Sequence, residues 1–185
     1  MNAAFGRVNK FVSAPDRNDL AFDRERIAAA VHHVVAQAQP GRLGHVRLGT
    51  VLWYSDIEHY RRAGTSITGL TYYQRTTHGP FSVAITRAVG ALGRLGKVSE
   101  RPVEIDGLIR RDMISLQTPN RAALNTMQAE ILGRMTAAIT VLTASRLRQA
   151  IGADPLWQET QSGDALVIAT GSIVVRIEQI LAERT

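Results

Sequence analysis

The apolar positions of this chain recur mostly at helical spacing. Ile27, Val31, Val34, Val35 and Ala38 share one face of a helix predicted over residues 23–39. Asp23 and Glu25 sit in its first turn, where carboxylates suit the helix dipole, and Pro40 and Gly41 end it. A second helix is predicted from Arg42 or Gly44 to Arg61, with Leu48, Val51, Leu52 and Ser55 as its buried stripe and Gly64 as its C-cap. The third covers residues 81–95 and is entered through a Gly79-Pro80 turn, Pro being at home in a first turn. Its apolar face is Phe81, Ile85, Ala88, Val89, Leu92 and Leu95. A long helix follows over residues 121–142, then a short one capped by Thr143 and ended by Gly152. Pro155, Leu156 and Trp157 read as a loop with an anchoring Trp, and residues 172–182 as a last helix.

The period changes twice. Residues 68–73 are rich in β-branched and aromatic side chains and predict a short strand or extended loop. Apolar alternation on both sides of Asp106-Gly107 predicts a two-residue hairpin between residues 103–105 and 108–116. The expected class is mainly α with a small antiparallel β-hairpin (α+β). It is a compact helical domain in which a helix–hairpin unit resembles a winged helix.

Composition adds limits. A chain of 185 residues can bury a core without covalent staples, and residues 21–185 read as one domain behind a partly ordered leader, residues 1–20. Apolar residues make up 45% and charged residues 21%, as in ordinary soluble proteins. With no cysteine, disulfides, thiolate metal sites and Cys nucleophiles are excluded. No apolar run is long enough to span a bilayer, and the leader lacks the apolar centre of a signal peptide. The expected location is the cytoplasm, with no membrane partner. The net charge of +6 permits contact with nucleic acid or an acidic protein, but the basic residues are dispersed.

Candidate chemistry is sparse. Asp56 and His59 are three apart on a predicted helix and can meet on one face. A carboxylate orienting an imidazole serves general-base catalysis, but no nucleophile motif accompanies them. The favoured reading is structural, with both residues hydrogen-bonded to the loop 65–69. The histidines and acids match no zinc spacing, and Gly93, Gly96 and Lys97 do not form a phosphate loop. No cofactor or metal is expected. Trp53, Tyr54, Tyr60, Tyr72 and Tyr73 crowd one stretch of an aromatic-poor chain, and such residues anchor interfaces. Of the helical neighbours Trp53 and Tyr54, one is expected in the core and the other at a surface groove.

That stretch also carries a family pattern. It reads aromatic-Tyr-x-Asp-x-x-His-Tyr-Arg, then Ser-Ile-Thr-Gly, a Tyr and Gly-Pro. The match runs through Leu52, Tyr54, Asp56, His59, Tyr60, Arg61, Gly64, Ile67, Thr68, Gly69, Tyr72, Gly79 and Pro80. A weaker match lies near residues 143–157. The chain thereby resembles the Panacea domain, the SocA-like antitoxin family of bacteria and phages. Two positions depart from the family: Thr50 stands where a Lys is usual, and Thr76-Thr77 where Leu-Pro or Met-Pro is usual.

The resemblance implies an antitoxin rather than an enzyme. It would neutralise a protein toxin, encoded by an adjacent gene, through direct binding, or act as an adaptor delivering the toxin to a protease. The expected partner-binding residues are Trp53, Tyr54, Asp56, His59, Tyr60, Arg61, Tyr72 and His78. Replacing Tyr54 or Arg61 should then weaken the complex and spare the fold. The alternative is a DNA-binding regulator that uses the helix–hairpin unit with Arg87, Arg94, Arg110 and Arg111.

Overall fold

A computed structural model describes residues 17–105 and 107–170. The helix predicted over residues 172–182, and residues 1–16 of the predicted leader, lie outside the described residues. Helices α1 (Arg17–Gln37), α2 (His45–Ala63) and α4 (Thr126–Thr140) pack together, with α3 (Val83–Arg94) against α1. Around them lie the short helices α5 (Ala144–Gly152) and α6 (Pro155–Glu159). Strands β1 (Tyr72–Arg75), β2 (Pro80–Phe81) and β5 (Ala165–Val167) form an antiparallel sheet in the order β2-β1-β5. Strands β3 (Val98–Ile105) and β4 (Leu108–Ser115) form a separate hairpin. The class is mainly α with small antiparallel β elements, as the sequence pattern predicts.

The apolar stripe of α1 is buried at Ile27, Val31, Val34 and Val35, and it meets one continuous core that reaches Ile168. Because α1 already begins at Arg17, Asp23 and Glu25 are not in its first turn. The hairpin forms where Asp106-Gly107 predicts it, with Ile105 opposite Leu108 and Gly107 at a left-handed φ of 74°. It follows α3 directly and is tied to the chain before α2 by Met113 N–H donating to the Leu43 carbonyl at 2.9 Å.

Four further boundaries differ from expectation, the first three for a local reason. Phe81 is in β2, not a helix, and Pro80 pairs with Arg75. The helix starts later because Ser82 caps it, accepting from Ala84 N–H. Phe81, in β2, and Leu95, the C-cap of α3, both lie on the surface and not on a buried helix face. The long helix 121–142 is broken into a 3-10 turn and α4, since Asn125 and Gln128 build a capping box that starts a new helix. Residues 155–157 are helical, because Asp154 caps α6 through Trp157 N–H and Pro155 suits its first turn. The predicted extended segment is displaced, with strand only from Tyr72 onward. By contrast, Thr143 caps α5 by accepting from Arg146 N–H, as predicted.

Candidate functional site

Helix α2 is covered by α1, α4, β2 and the turn at residues 168–170, so it has no broad solvent face. Leu48 through Ile57 are buried without a break. Trp53 and Tyr54 are both in the core, which corrects the expectation that one of them opens onto a groove. Their rings lie 4.6 Å apart, and Trp53 continues to Trp157 at 6.1 Å. Arg75 covers the Trp157 ring at 4.9 Å, within cation–π range. The Tyr54 hydroxyl bonds the Asp154 carboxylate, and burial raises the pKa of both groups. Tyr54 is thus a structural side chain, and its replacement does not probe the surface alone.

Asp56 organises the loop after α2. One carboxylate oxygen accepts from Thr68 N–H at 2.9 Å; the other accepts from the Thr68 hydroxyl at 2.5 Å and the Tyr73 hydroxyl at 2.6 Å. Burial pushes the Asp56 carboxyl up to about 6, although the bonds from Thr68 and Tyr73 favour the anion. Below it, His59 Nδ1–H donates to the Thr65 carbonyl at 2.5 Å. Both residues hold the loop 65–69, which is the structural reading favoured from sequence. Gly64 lets the chain leave α2 with φ 69°, and Gly69 turns it back with φ 82°.

The sheet is held against α2 at equally close range. A Cβ at Gly49 would collide with the Pro80 carbonyl oxygen, so glycine permits β2 to lie on the helix. The two departures from the family pattern are satisfied here. Thr50 is buried and donates to the Val46 carbonyl at 2.8 Å. Thr76 shapes the β1–β2 turn, donating to the Gly79 carbonyl at 2.7 Å and accepting from His78 and Gly79 N–H, each at 3.3 Å.

The eight residues expected at a partner surface are therefore divided. Trp53, Tyr54, Asp56 and His59 are buried, and Tyr60 is half-buried. Arg61, Tyr72 and His78 are exposed, on the α2 end, on β1 and in the β1–β2 turn. They do not form one patch: Tyr60 lines a small cleft with Leu70 and Ile168, while His78 lines a different one.

Around Tyr72 the structure assembles a surface the sequence analysis missed. Tyr72 pairs with Val167, and Gln74 pairs with both Phe81 and Ala165. Register partners point to the same side, so these five residues share the outer face. Tyr72 is 56% exposed, Phe81 41% and Val167 38%, and Val83 at the start of α3 is 53% exposed. Tyr73 and Leu166, on the inner face, are fully buried. The signal for Val167 is a short apolar run, Ala165 to Ala169, after Gly163, too short to identify alone as a strand. Among the described residues, no group of His, Asp or Glu could hold a metal ion, and no helix is long and apolar enough to cross a membrane.

This geometry accounts for most of the family pattern, and comparison with known families decides the matter. The family described as Antitoxin SocA-like, Panacea domain, matches residues 50–158, more than half of the chain. The chain belongs to the Panacea-domain family. Within that span lie the whole Asp56 assembly, the Gly49-facing turn at Pro80, the hairpin, α4 and α5, while the Panacea match begins inside α2 and ends inside α6. No curated protein and no solved structure matches the chain.

Proposed function

We propose that this Panacea-domain protein neutralises a protein toxin, the product of an adjacent gene, by binding it directly in the cytoplasm through the outer face of the β2-β1-β5 sheet. The observation that carries the surface is the exposed set Tyr72, Phe81 and Val167 on one face of the sheet. Two aromatics and a valine sharing one face suit the apolar centre of a protein interface. The family supplies the class of partner. Asp56 and His59 are each engaged with the loop after α2 and shielded from solvent, so the reading requires no reaction and no cofactor. Arg61 and His78, being exposed, remain available as flanking contacts.

Co-expression with the product of the adjacent gene tests the reading, with growth and co-purification as readouts. Wild-type protein restores growth and retains the toxin. The double variant Tyr72→Ser/Phe81→Ser loses both, since an interface aromatic commonly contributes about 2 kcal/mol or more. Rescue in which the toxin disappears from the cell, without a stable complex, replaces direct masking by delivery to a protease. A harmless neighbour, or a complex that the double variant retains, removes the proposed pairing or surface.

A further inference from the structure

A cleft of about 480 Å³ opens between the first turn of α2, the β3–β4 hairpin and α5. Arg47, Arg110, Arg111 and Arg148 line it together with His45 and His78. Val46, Val103 and Leu147 supply apolar lining between them. Little negative charge answers these cations. Asp112 is buried and already accepts from Gly41 N–H at 2.5 Å and Leu43 N–H at 2.8 Å. Glu100 reaches His45 at 3.2 Å and Arg111 at 3.7 Å. Among the described residues, no carboxylate lies at ion-pair distance from Arg47, Arg110 or Arg148.

Arg47 shows the imbalance most directly. One of its terminal nitrogens donates to the Leu142 carbonyl at 2.8 Å, while its Nε is shielded from solvent and has no partner. Burial lowers its pKa, and the like charges of Arg110 and Arg42 lower it further, against a smaller opposing effect of the Asp112 charge. Cations held together against apolar side chains are unfavourable until an anion joins them. The backbone adds to the same field. Helix α2 starts behind Gly44 with no side-chain cap and no acidic residue in its first turn, so the positive end of its dipole adds to the field at this cleft.

We infer that this cleft binds a compact polyanion of the nucleoside di- or triphosphate class. Arg47, Arg110 and Arg148 line a concave site, with Arg111 beside Glu100 at its edge, and its volume falls in the range of about 300–1,000 Å³ typical of small-ligand pockets. A polyphosphate concentrates several charges within the reach of such a cluster, and guanidinium groups match its oxygens in pairs. A carboxylate side chain brings one charge at a time. The apolar lining beside the arginines suits a nucleobase. Duplex DNA fits less well, because Arg87 and Arg94 on α3 do not line this cleft. The inference is independent of the toxin-binding reading.

Calorimetric titration of the purified full chain tests it, with ATP, inorganic tripolyphosphate, a hexaglutamate peptide and a short DNA duplex as probes. Wild type should bind ATP and tripolyphosphate, ATP the more tightly. The double variant Arg110→Gln/Arg148→Gln should weaken both by at least about tenfold, through loss of charge-assisted bonds. The control Arg87→Gln/Arg94→Gln should stay within about twofold of wild type, since it leaves the cleft intact. If the double variant does not fold, Arg148→Gln alone, on an exposed side chain, gives the same reading. Absence of binding by both phosphate probes overturns the inference. So does a hexaglutamate affinity equal to that of tripolyphosphate, binding of the duplex alone, or equal losses in the two double variants. Equal affinity for ATP and tripolyphosphate removes the nucleoside and leaves only a polyphosphate site.

Discussion

On the inner face of the three-stranded sheet, Tyr73 is fully buried and its hydroxyl donates to Asp56. On the outer face its neighbour Tyr72 is more than half exposed beside Val167. The same residue type, one position apart, does two different jobs because successive side chains on a strand point to opposite sides. Tyr73 belongs to the lock joining α2, the loop 65–69 and the sheet, and Tyr72 to a surface that this lock holds still. Four of the eight residues expected at the partner surface fall on the locked side of that division. A family pattern of this kind records what fixes the scaffold as well as what meets the partner.

Substitutions at the lock should have the largest effects on stability. Asp56→Ala strands the Thr68 N–H, the Thr68 hydroxyl and the Tyr73 hydroxyl in the core. At about 1–3 kcal/mol for each buried donor left unmade, partly offset by removing a buried charge, we expect a loss of roughly 3 kcal/mol in chemical denaturation. A loss under about 1 kcal/mol would mean that the lock does not hold the loop. Gly49→Ala sets a methyl group against the backbone of β2, where neither side is a flexible side chain, and should lower stability by about 1–3 kcal/mol.

The lock should also show itself in pH dependence. The Asp56 carboxyl is pushed up to about 6 in the folded protein, above its ordinary value of 3.8. Between those values the folded state binds more protons than the unfolded state. The Asp56 contribution is therefore fully present below pH 3.8 and is lost as pH rises through about 6. Asp154 is shifted in the same direction, and His32, lowered mainly by burial, acts in the opposite sense. Comparing wild type with Asp56→Asn isolates the one carboxylate. The variant should lose the decline in unfolding free energy across this interval that wild type shows, and parallel pH profiles would contradict the assignment.

The outer face should respond in the opposite way. Tyr72→Ser and Phe81→Ser remove exposed side chains, so each should change stability by no more than about 0.5 kcal/mol in the same denaturation experiment. A larger loss would place these residues in the scaffold and erase the distinction between the faces.

How far the sequence discloses this arrangement depends on the range of the interactions. Thr143 starting α5 and Gly107 turning the hairpin are local devices and are legible directly. The Asp56 and His59 contacts are legible as well, because their partners follow within the next few turns of chain. The break before α4 is also local, yet the apolar spacing from Leu124 to Ile139 outweighs the capping pair Asn125 and Gln128 unless caps are read first. The outer face is a different matter. It depends on Val167 pairing with Tyr72 across about half of the protein's length, and a three-residue strand leaves almost no periodic signal. Trp53 and Tyr54 mislead for a related reason: one buried stripe is the rule for a surface helix, and α2 is covered on several sides.

The most direct test is the affinity of the proposed partner, the purified product of the adjacent gene, for wild-type protein and for Tyr72→Ser/Phe81→Ser, measured after confirming that both melt at the same temperature. The division between faces predicts a loss of about tenfold or more at unchanged stability. Equal affinity for the two proteins would show that the exposed face of the sheet is not where the partner binds.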